Sequence, residues 1–234
     1  MNYLYLLLDI GSLSLPFIFS FHPKLKFYKK WKALFFSIFL MMLIFIPWDV
    51  IFTKNGIWGF NEAYFLGIYI SELPLEEWLF FICIPFACVF THYSLLYFFP
   101  KMELEDKNVN LITHIFIAAL ILFSIIYYDK WYTVVNFVYA IILLFFVKHL
   151  RPEVLKSYYL TFLVILIPFF IVNGILTGSF IEEPVVWYNN DENLGIRLVT
   201  IPIEDSVYAF TMILTVLVLT DYFQKKWSNV TTHP

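Results

Sequence analysis

The chain has 234 residues, of which 61% are hydrophobic, 22% aromatic and only 14% charged. A soluble domain is nearer half apolar and a quarter charged, so this composition argues against one. The net charge of -3 carries little meaning, because the charges are segregated by loop, and we expect no nucleic-acid partner.

Seven apolar blocks are long enough to cross a bilayer as helices. The first block lacks a basic leader and a small-residue cleavage site, so we expect it to be retained as a helix. Tyr and Trp gather at the block ends, as is typical of membrane interfaces. The expected fold class is all-α, an integral membrane seven-helix bundle. The predicted spans are Tyr3–Phe21, Lys32–Trp48, Trp78–Phe99, Leu111–Tyr127, Trp131–Val147, Tyr159–Leu176 and Ser206–Phe223.

The basic residues predict the orientation of the bundle. Twelve of the 15 Lys and Arg residues fall in the loops after spans 1, 3 and 5 and in the C-terminal tail. The positive-inside rule then places the N-terminus outside and the tail in the cytoplasm. Most acidic residues lie on the opposite side, in the segments between spans 2 and 3 and between spans 6 and 7.

An internal repeat divides the chain. Residues 61–80 match residues 189–208 at a constant shift of 128, and Trp58 pairs with Trp187 with one residue of slippage. The same shift relates spans 1–3 to spans 5–7. We therefore predict a first three-helix repeat at 1–109, a connector helix at 110–130 and a second repeat at 131–234. Four helices separate equivalent elements, so the repeats run parallel, and substrate sites in such proteins tend to lie between repeats.

Each repeat carries an acidic pair after a proline. The two segments read Leu73-Pro74-Leu75-Glu76-Glu77-Trp78 and Ile201-Pro202-Ile203-Glu204-Asp205-Ser206. Acids in a first turn complement the helix dipole, which is the simple structural interpretation. Two copies, each opening an apolar helix, favour function, because acids near hydrocarbon are costly. Neighbouring helical residues point about 100° apart, so one member of each pair can face the interior while the other bonds backbone.

Aromatic residues surround these pairs. Some of them anchor the chain at the membrane interface. A second interpretation is a ring-lined pocket, because aromatic faces attract cations. Acids with aromatic walls suit chemistry through a carbocation on an apolar substrate. The candidates are Trp48, Trp58, Phe60, Trp78, Trp187 and Tyr208.

These motifs resemble a known family. The residues are Trp48-Asp49-x-x-x-Thr53-x-x-Gly56-x-Trp58-x-Phe60-Asn61, Leu66-Gly67, Leu73-Pro74-x-Glu76-Glu77-x-Leu79-Phe80-Phe81, Ile84-Pro85-Phe86-Ala87-Cys88 and Ile201-Pro202-x-Glu204-Asp205-x-x-Tyr208-x-Phe210. They resemble the membrane-embedded lycopene cyclases, namely the heterodimeric-type bacterial enzymes and the cyclase domain of fungal bifunctional carotenoid enzymes. The chain looks like a fusion of the two bacterial subunits. Ile57 departs from the family, whose members often have His in the Gly-x-Trp motif.

The resemblance implies a cofactor-independent, non-redox isomerisation. An acid protonates the terminal alkene of lycopene or a related linear carotenoid, the cation closes onto a neighbouring double bond, and loss of a ring proton gives a β-type ring. It also implies a multi-pass protein of the cell membrane, expected to be a bacterial inner membrane, with other carotenoid-pathway enzymes as further candidate partners. The sequence itself has no dinucleotide fingerprint and no Cys or His spacing for a metal.

Motif matching makes Glu76, Glu77, Glu204 and Asp205 the acid/base candidates. The residues in a supporting role are Asp49, Asn61 and Asn189, which are expected to orient the acids by hydrogen bonds, and Asn173 is a candidate counterpart of Asp49. Asp9, inside span 1, is expected to make a polar contact between helices.

Other protein classes fit less well. A three-plus-one-plus-three parallel repeat is also the layout of SWEET-type sugar transporters, but here the motifs cluster at one membrane face. A retinal photoreceptor shares the seven spans, but span 7 has no Lys for a Schiff base. A purely structural partner protein gives no reason for duplicated acidic pairs.

Overall fold

The computed structural model describes residues 3–230, and within that range the chain forms seven α-helices. The all-α prediction is confirmed. Helices α2 to α7 are long and apolar enough to cross a membrane. Helix α1 is apolar but has 16 residues, about 24 Å at 1.5 Å per residue. The helices are α1 Leu4–Phe19, α2 Trp31–Lys54, α3 Leu75–Phe98, α4 Asp106–Ile126, α5 Trp131–Leu150, α6 Pro152–Leu176 and α7 Ile203–Val230.

Three predicted boundaries near the acidic pairs need correction. Helix α2 continues to Lys54, so Trp48 and Asp49 lie inside a helix and not at its end. Helices α3 and α7 begin three residues before the predicted span starts, at Leu75 and Ile203. The preceding Pro74 is extended, with φ -61° and ψ 151°, and ends the loop. Both acidic pairs therefore lie within the first helical turn.

Short strands repeat the same geometry in both halves. Strand β2 (Tyr69–Ile70) pairs with β3 (Leu73–Pro74), and strand β5 (Arg197–Leu198) pairs with β6 (Ile201–Pro202). The two registers coincide after a shift of 128. The internal repeat inferred from the sequence is thus present in the backbone.

A further strand pair joins the two repeats. Strand β1 (Trp58–Phe60) runs antiparallel to β4 (Val186–Tyr188), with Gly59 opposite Trp187. These two residues differ by 128, so a local two-fold axis passes between them. The counterpart of Trp187 is therefore Gly59, and the predicted match of Trp58 with Trp187 is wrong. The Trp187 ring lies where a Gly59 side chain would be, 2.3 Å from an ideal Cβ.

Helix packing follows the repeat. Helix α1 packs on α3 as α5 packs on α7, and across the repeats α2 packs on α7 and α3 on α6. The connector α4 lies mainly against α5. Helices α1 and α5 begin at Leu4 and Trp131, a difference of 127, so the register of the repeat changes by one residue between the first helix and the loop.

Candidate active site

The first acid of each pair binds backbone. The Leu66 N–H donates to Glu76 Oε1 at 2.8 Å, and the Leu194 N–H donates to Glu204 Oε1 at 2.8 Å. Both glutamates are fully buried, and Glu204 also accepts the Thr133 hydroxyl at 2.7 Å. Glu76 and Glu204 therefore fix the loop before each helix against its first turn.

The second acid of each pair faces a cavity of about 630 Å³. Helices α1, α3, α6 and α7 form most of its walls, and β1 and β4 contribute Trp58, Phe60 and Tyr188. Glu77 and Asp205 both line it, whereas Glu76 and Glu204 do not. The remaining wall is mostly apolar, so the two carboxyl groups form a polar end on an otherwise hydrocarbon-like space.

Glu77 and Asp205 differ in their hydrogen bonds. Glu77 accepts the hydroxyl of Tyr5. Asp205 accepts three donors, the Tyr132 hydroxyl at 2.5 Å, the Asn173 amide at 2.8 Å and the Tyr188 hydroxyl at 3.0 Å. Hydrogen bonds donated to a carboxylate favour its charged form. The pair is thus symmetric in position but not in environment.

Asp49 of α2 brings a third carboxyl group to the same cavity. It accepts a hydrogen bond from Trp58, and among residues 3–230 its Oδ2 has no partner. Burial raises the pKa of Tyr188 well above its ordinary value, and Asp205, Glu77 and Asp49 raise it further by their charges. Tyr188 therefore keeps its proton at neutral pH and stays a donor to Asp205.

A comparison with known families identifies the class of protein. The model described as lycopene cyclase matches residues 2–95 and 129–223. The chain belongs to the lycopene cyclase family. The comparisons with curated proteins and with solved structures gave no match. The two matched segments coincide with the two repeats, and α4 falls between them.

Family membership assigns the chain to carotenoid cyclisation in a membrane environment. It agrees with the cavity, whose wall is apolar and whose polar groups gather at one end. Within the described range, no group of three or more His, Cys, Asp or Glu residues is arranged to hold a metal ion.

The aromatic candidates separate into two groups. Trp58, Phe60 and Tyr208 line the cavity. Trp48 instead packs on Tyr139 and Tyr208. The other two lie outside the cavity: the Trp78 indole donates to the Ile70 carbonyl at 3.1 Å, and Trp187 covers Gly59.

Asn61 and Asn189 were expected to form hydrogen bonds with the acidic pairs, but they cap short helices instead. Each caps a short 3-10 helix through its side-chain oxygen, which accepts the N–H of Ala63 or Asp191 at 3.0 Å. Asn61 also donates to Glu183 at 2.9 Å. Each asparagine starts the turn that leads to the Leu66 or the Leu194 N–H donor. The asparagines therefore support these loops and do not bind the acidic pairs directly.

The sequence interpretation missed Tyr5 and Tyr132, which donate to the second acid of each pair. They differ by 127, the shift that relates α1 to α5, and a search at that shift would have paired them.

The same shift pairs Asp9 with Asn136, whose amide donates to the Glu204 carbonyl at 2.7 Å. Asp9 is fully buried, and in the described part of the chain neither of its carboxyl oxygens has a hydrogen-bond partner, so the expected polar contact is not made.

Proposed function

We propose that this lycopene cyclase closes β-type rings on the ends of a linear carotenoid by proton-initiated, non-redox isomerisation. The observation that carries this is the placement of Glu77 and Asp205 at one end of a single apolar cavity lined by aromatic rings. We further propose a location in the cell membrane, a bacterial inner membrane, with other carotenoid-pathway enzymes as candidate neighbours.

Glu77 is the proposed general acid. Three carboxyl groups, Glu77, Asp205 and Asp49, face one apolar cavity, and like charges in such a place disfavour full ionisation of all three. Asp205 receives three hydrogen bonds and is best suited to carry the negative charge. Glu77 receives one, from Tyr5, so of the two motif acids that face the cavity it is the better holder of the proton.

The reaction begins when Glu77 donates its proton to the terminal double bond of the substrate. The resulting tertiary cation is attacked by a neighbouring double bond, which forms the new carbon–carbon bond of a six-membered ring and moves the cation into that ring. Return of a ring proton to the Glu77 carboxylate gives the ring double bond and restores the acid. One proton enters and one leaves, so the product is an isomer of the substrate.

Two features of the site stabilise the cation. The carboxylate of Asp205 supplies a negative charge near the reacting end. The rings of Trp58, Phe60 and Tyr208 line the same region, and aromatic faces attract cations by about 0.5–2 kcal/mol each without acting as nucleophiles. Removal of water from the apolar cavity also protects the cation from capture.

The test is expression in cells that accumulate lycopene, followed by pigment analysis. We expect cyclic carotenoids from the wild-type protein. Glu77→Gln removes the proton donor and is expected to lower cyclisation by about 10²- to 10⁴-fold, the usual contribution of a general acid.

Glu76→Gln is the matched control. The glutamine oxygen can still accept the Leu66 N–H, so we expect cyclisation near the wild-type level. Protein in the membrane fraction is quantified for all variants. Unchanged lycopene with the wild-type protein present would refute the function, and equal loss in Glu76→Gln and Glu77→Gln would refute the assignment of the acid.

A transporter remains the second candidate from the layout of the repeats. Neither the family nor the cavity favours it, because the wall is apolar and its carboxyl groups lie at one end. Uptake of polar solutes into liposomes is expected to be absent.

A further inference from the structure

Helices α1 and α6 line one side of the cavity, and a gap lies between them because each packs mainly on α3. Four of its lining residues on α1 follow one another at four-residue spacing, Leu7, Gly11, Leu15 and Phe19, which places them on one stripe of the helix. These residues are also exposed on the outside of the bundle, Leu7 by 58% and Leu15 by 64%. The same side chains therefore border both the cavity and the surroundings of the bundle.

The equivalent gap in the other repeat lies between α5 and α2, and it is closed. Tyr139 of α5 packs on Phe45 and Trp48 of α2, with ring centroids 5.3 and 6.0 Å apart. Its hydroxyl bonds to Thr215 at 2.8 Å. Aromatic side chains thus fill on one side of the molecule the space that is open on the other.

Smaller residues contribute to the difference between the two gaps. At the shift of 127 that relates α1 to α5, Gly11 corresponds to Val138 and Ser12 to Tyr139. A Cβ built on Gly11 meets no atom within 4 Å. The opening therefore reflects these smaller side chains together with the looser packing of α6 on α3 than of α2 on α7.

The wall of the opening is less polar than its composition suggests. The Ser12 hydroxyl donates to the Leu8 carbonyl at 2.7 Å, and the Thr91 hydroxyl donates to the Ala87 carbonyl at 2.8 Å. Both hydroxyls are used within their own helices. The passage thus offers hydrocarbon to a ligand until the carboxyl groups are reached.

We propose that the gap between α1 and α6 is the opening through which the carotenoid enters sideways from the lipid, and that its polyene chain then lies along the stripe Leu7, Gly11, Leu15 and Phe19. This inference rests on the proposed function. From Glu77 to Thr91 the cavity spans 14 residues of α3, about 21 Å at 1.5 Å per residue, against about 30 Å of bilayer hydrocarbon. A chain lying there is nearly parallel to the helices, with its reacting end at Glu77 and Asp205.

The test transfers the closed side's residue to the open side. Ser12→Tyr places the counterpart of Tyr139 in the opening, and Ser14→Tyr is the matched control, because Ser14 lies on the same helix but does not line the cavity. In lycopene-accumulating cells we expect Ser12→Tyr to lower cyclisation at least tenfold. We expect Ser14→Tyr to leave it unchanged and the smaller Gly11→Val to give an intermediate loss.

A binding measurement separates access from chemistry. In the Glu77→Gln background, lycopene absorbance is followed in protein purified from lycopene-accumulating cells. We expect bound pigment in Glu77→Gln and Glu77→Gln/Ser14→Tyr, and loss of pigment in Glu77→Gln/Ser12→Tyr at equal membrane accumulation and equal thermal stability.

Each result bears on one of the two proposals. Wild-type binding and turnover in Ser12→Tyr would overturn the opening while leaving the cyclase intact. Pigment bound by the wild-type protein without cyclic products would refute the proposed function, and its loss in Ser12→Tyr would still support the opening. Absence of bound pigment from both Glu77→Gln and the wild type would overturn the opening as well.

Discussion

At the scale of single residues, the two acids of each pair do different things although they are neighbours in the chain. Successive helical residues point about 100° apart. Glu76 and Glu204 turn towards the loop and accept a backbone N–H, whereas Glu77 and Asp205 turn into the cavity. In each pair, the acid that accepts a backbone N–H supports the structure. The acid that faces the apolar cavity is the candidate for chemistry.

Tyr132 is predicted to support the charge on Asp205. Tyr132→Phe removes one of its three donors, and a hydrogen bond to a charged group contributes about 1.5–3 kcal/mol. We expect the cyclisation rate to fall by about 10- to 100-fold, measured by pigment production per amount of membrane protein. In an Asp205→Asn background the same change is expected to have much less effect, because coupled residues are not additive.

Tyr139→Phe is the control for that experiment. Its hydroxyl bonds to Thr215 on the closed side of the bundle, and its ring packing is kept. Cyclisation near the wild-type level is expected. A loss of cyclisation in Tyr139→Phe as large as in Tyr132→Phe would show that the effect of Tyr132→Phe is not specific to its hydrogen bond with Asp205.

At the scale of elements, the strand pair β1–β4 links the two repeats beside the cavity. It holds Trp58 opposite Tyr188, and both side chains line the cavity wall. The Trp187 ring covers Gly59 so closely that a Cβ would overlap it, at 2.3 Å from one ring atom. The pairing therefore depends on a residue without a side chain at position 59.

Gly59→Ala is expected to destabilise the protein by about 1–3 kcal/mol, the usual cost of overpacking. Thermal unfolding in detergent should show a fall of about 2–4 °C per kcal/mol for a chain of this size. Trp187→Ala removes the overlapping ring, so the double variant Gly59→Ala/Trp187→Ala is expected to recover most of the loss. A double variant no more stable than Gly59→Ala would show that the ring contact is not the cause.

At the scale of the whole molecule, two parallel repeats build one cavity. Glu77 comes from the first repeat and Asp205 from the second, and both line the same space. The equivalent space on the other side of the two-fold axis contains Phe45, Trp48 and Tyr139. The duplication therefore supplies two carboxyl groups to one site, and the two sides differ in side-chain size and in how closely their helices pack.

The predicted orientation is tested with introduced cysteines. Glu182 and Lys101 are exposed at opposite ends of the predicted topology, and the two native cysteines, Cys83 and Cys88, are replaced with Ala. In intact cells an impermeant maleimide is expected to label Glu182→Cys but not Lys101→Cys, which should react after permeabilisation. The cysteine-free protein gives the background, and the reverse labelling would invert the topology.

Much of the fold followed from the sequence. Runs of apolar residues predicted the helices, because a backbone in hydrocarbon must satisfy its own hydrogen bonds. The shift of 128 predicted the repeat, whereas the chemistry inferred from the acidic pairs and aromatic residues stays a prediction. The starts of α3 and α7 were predicted three residues too late, because the hydropathy changes at Trp78 and Ser206. The backbone becomes helical earlier, directly after Pro74 and Pro202.

Tertiary structure alone decided which residues meet. The motifs do not say which acid of each pair lines the cavity, and only their surroundings separate Glu77 and Asp205 from Glu76 and Glu204. Tyr5 and Tyr132 reach the site from helices more than 70 residues away in the chain, a distance that no local pattern reports. The sequence thus determined a duplicated membrane bundle with acidic pairs, because hydropathy and repetition are local properties, and packing between helices determined the cavity that Glu77 and Asp205 share.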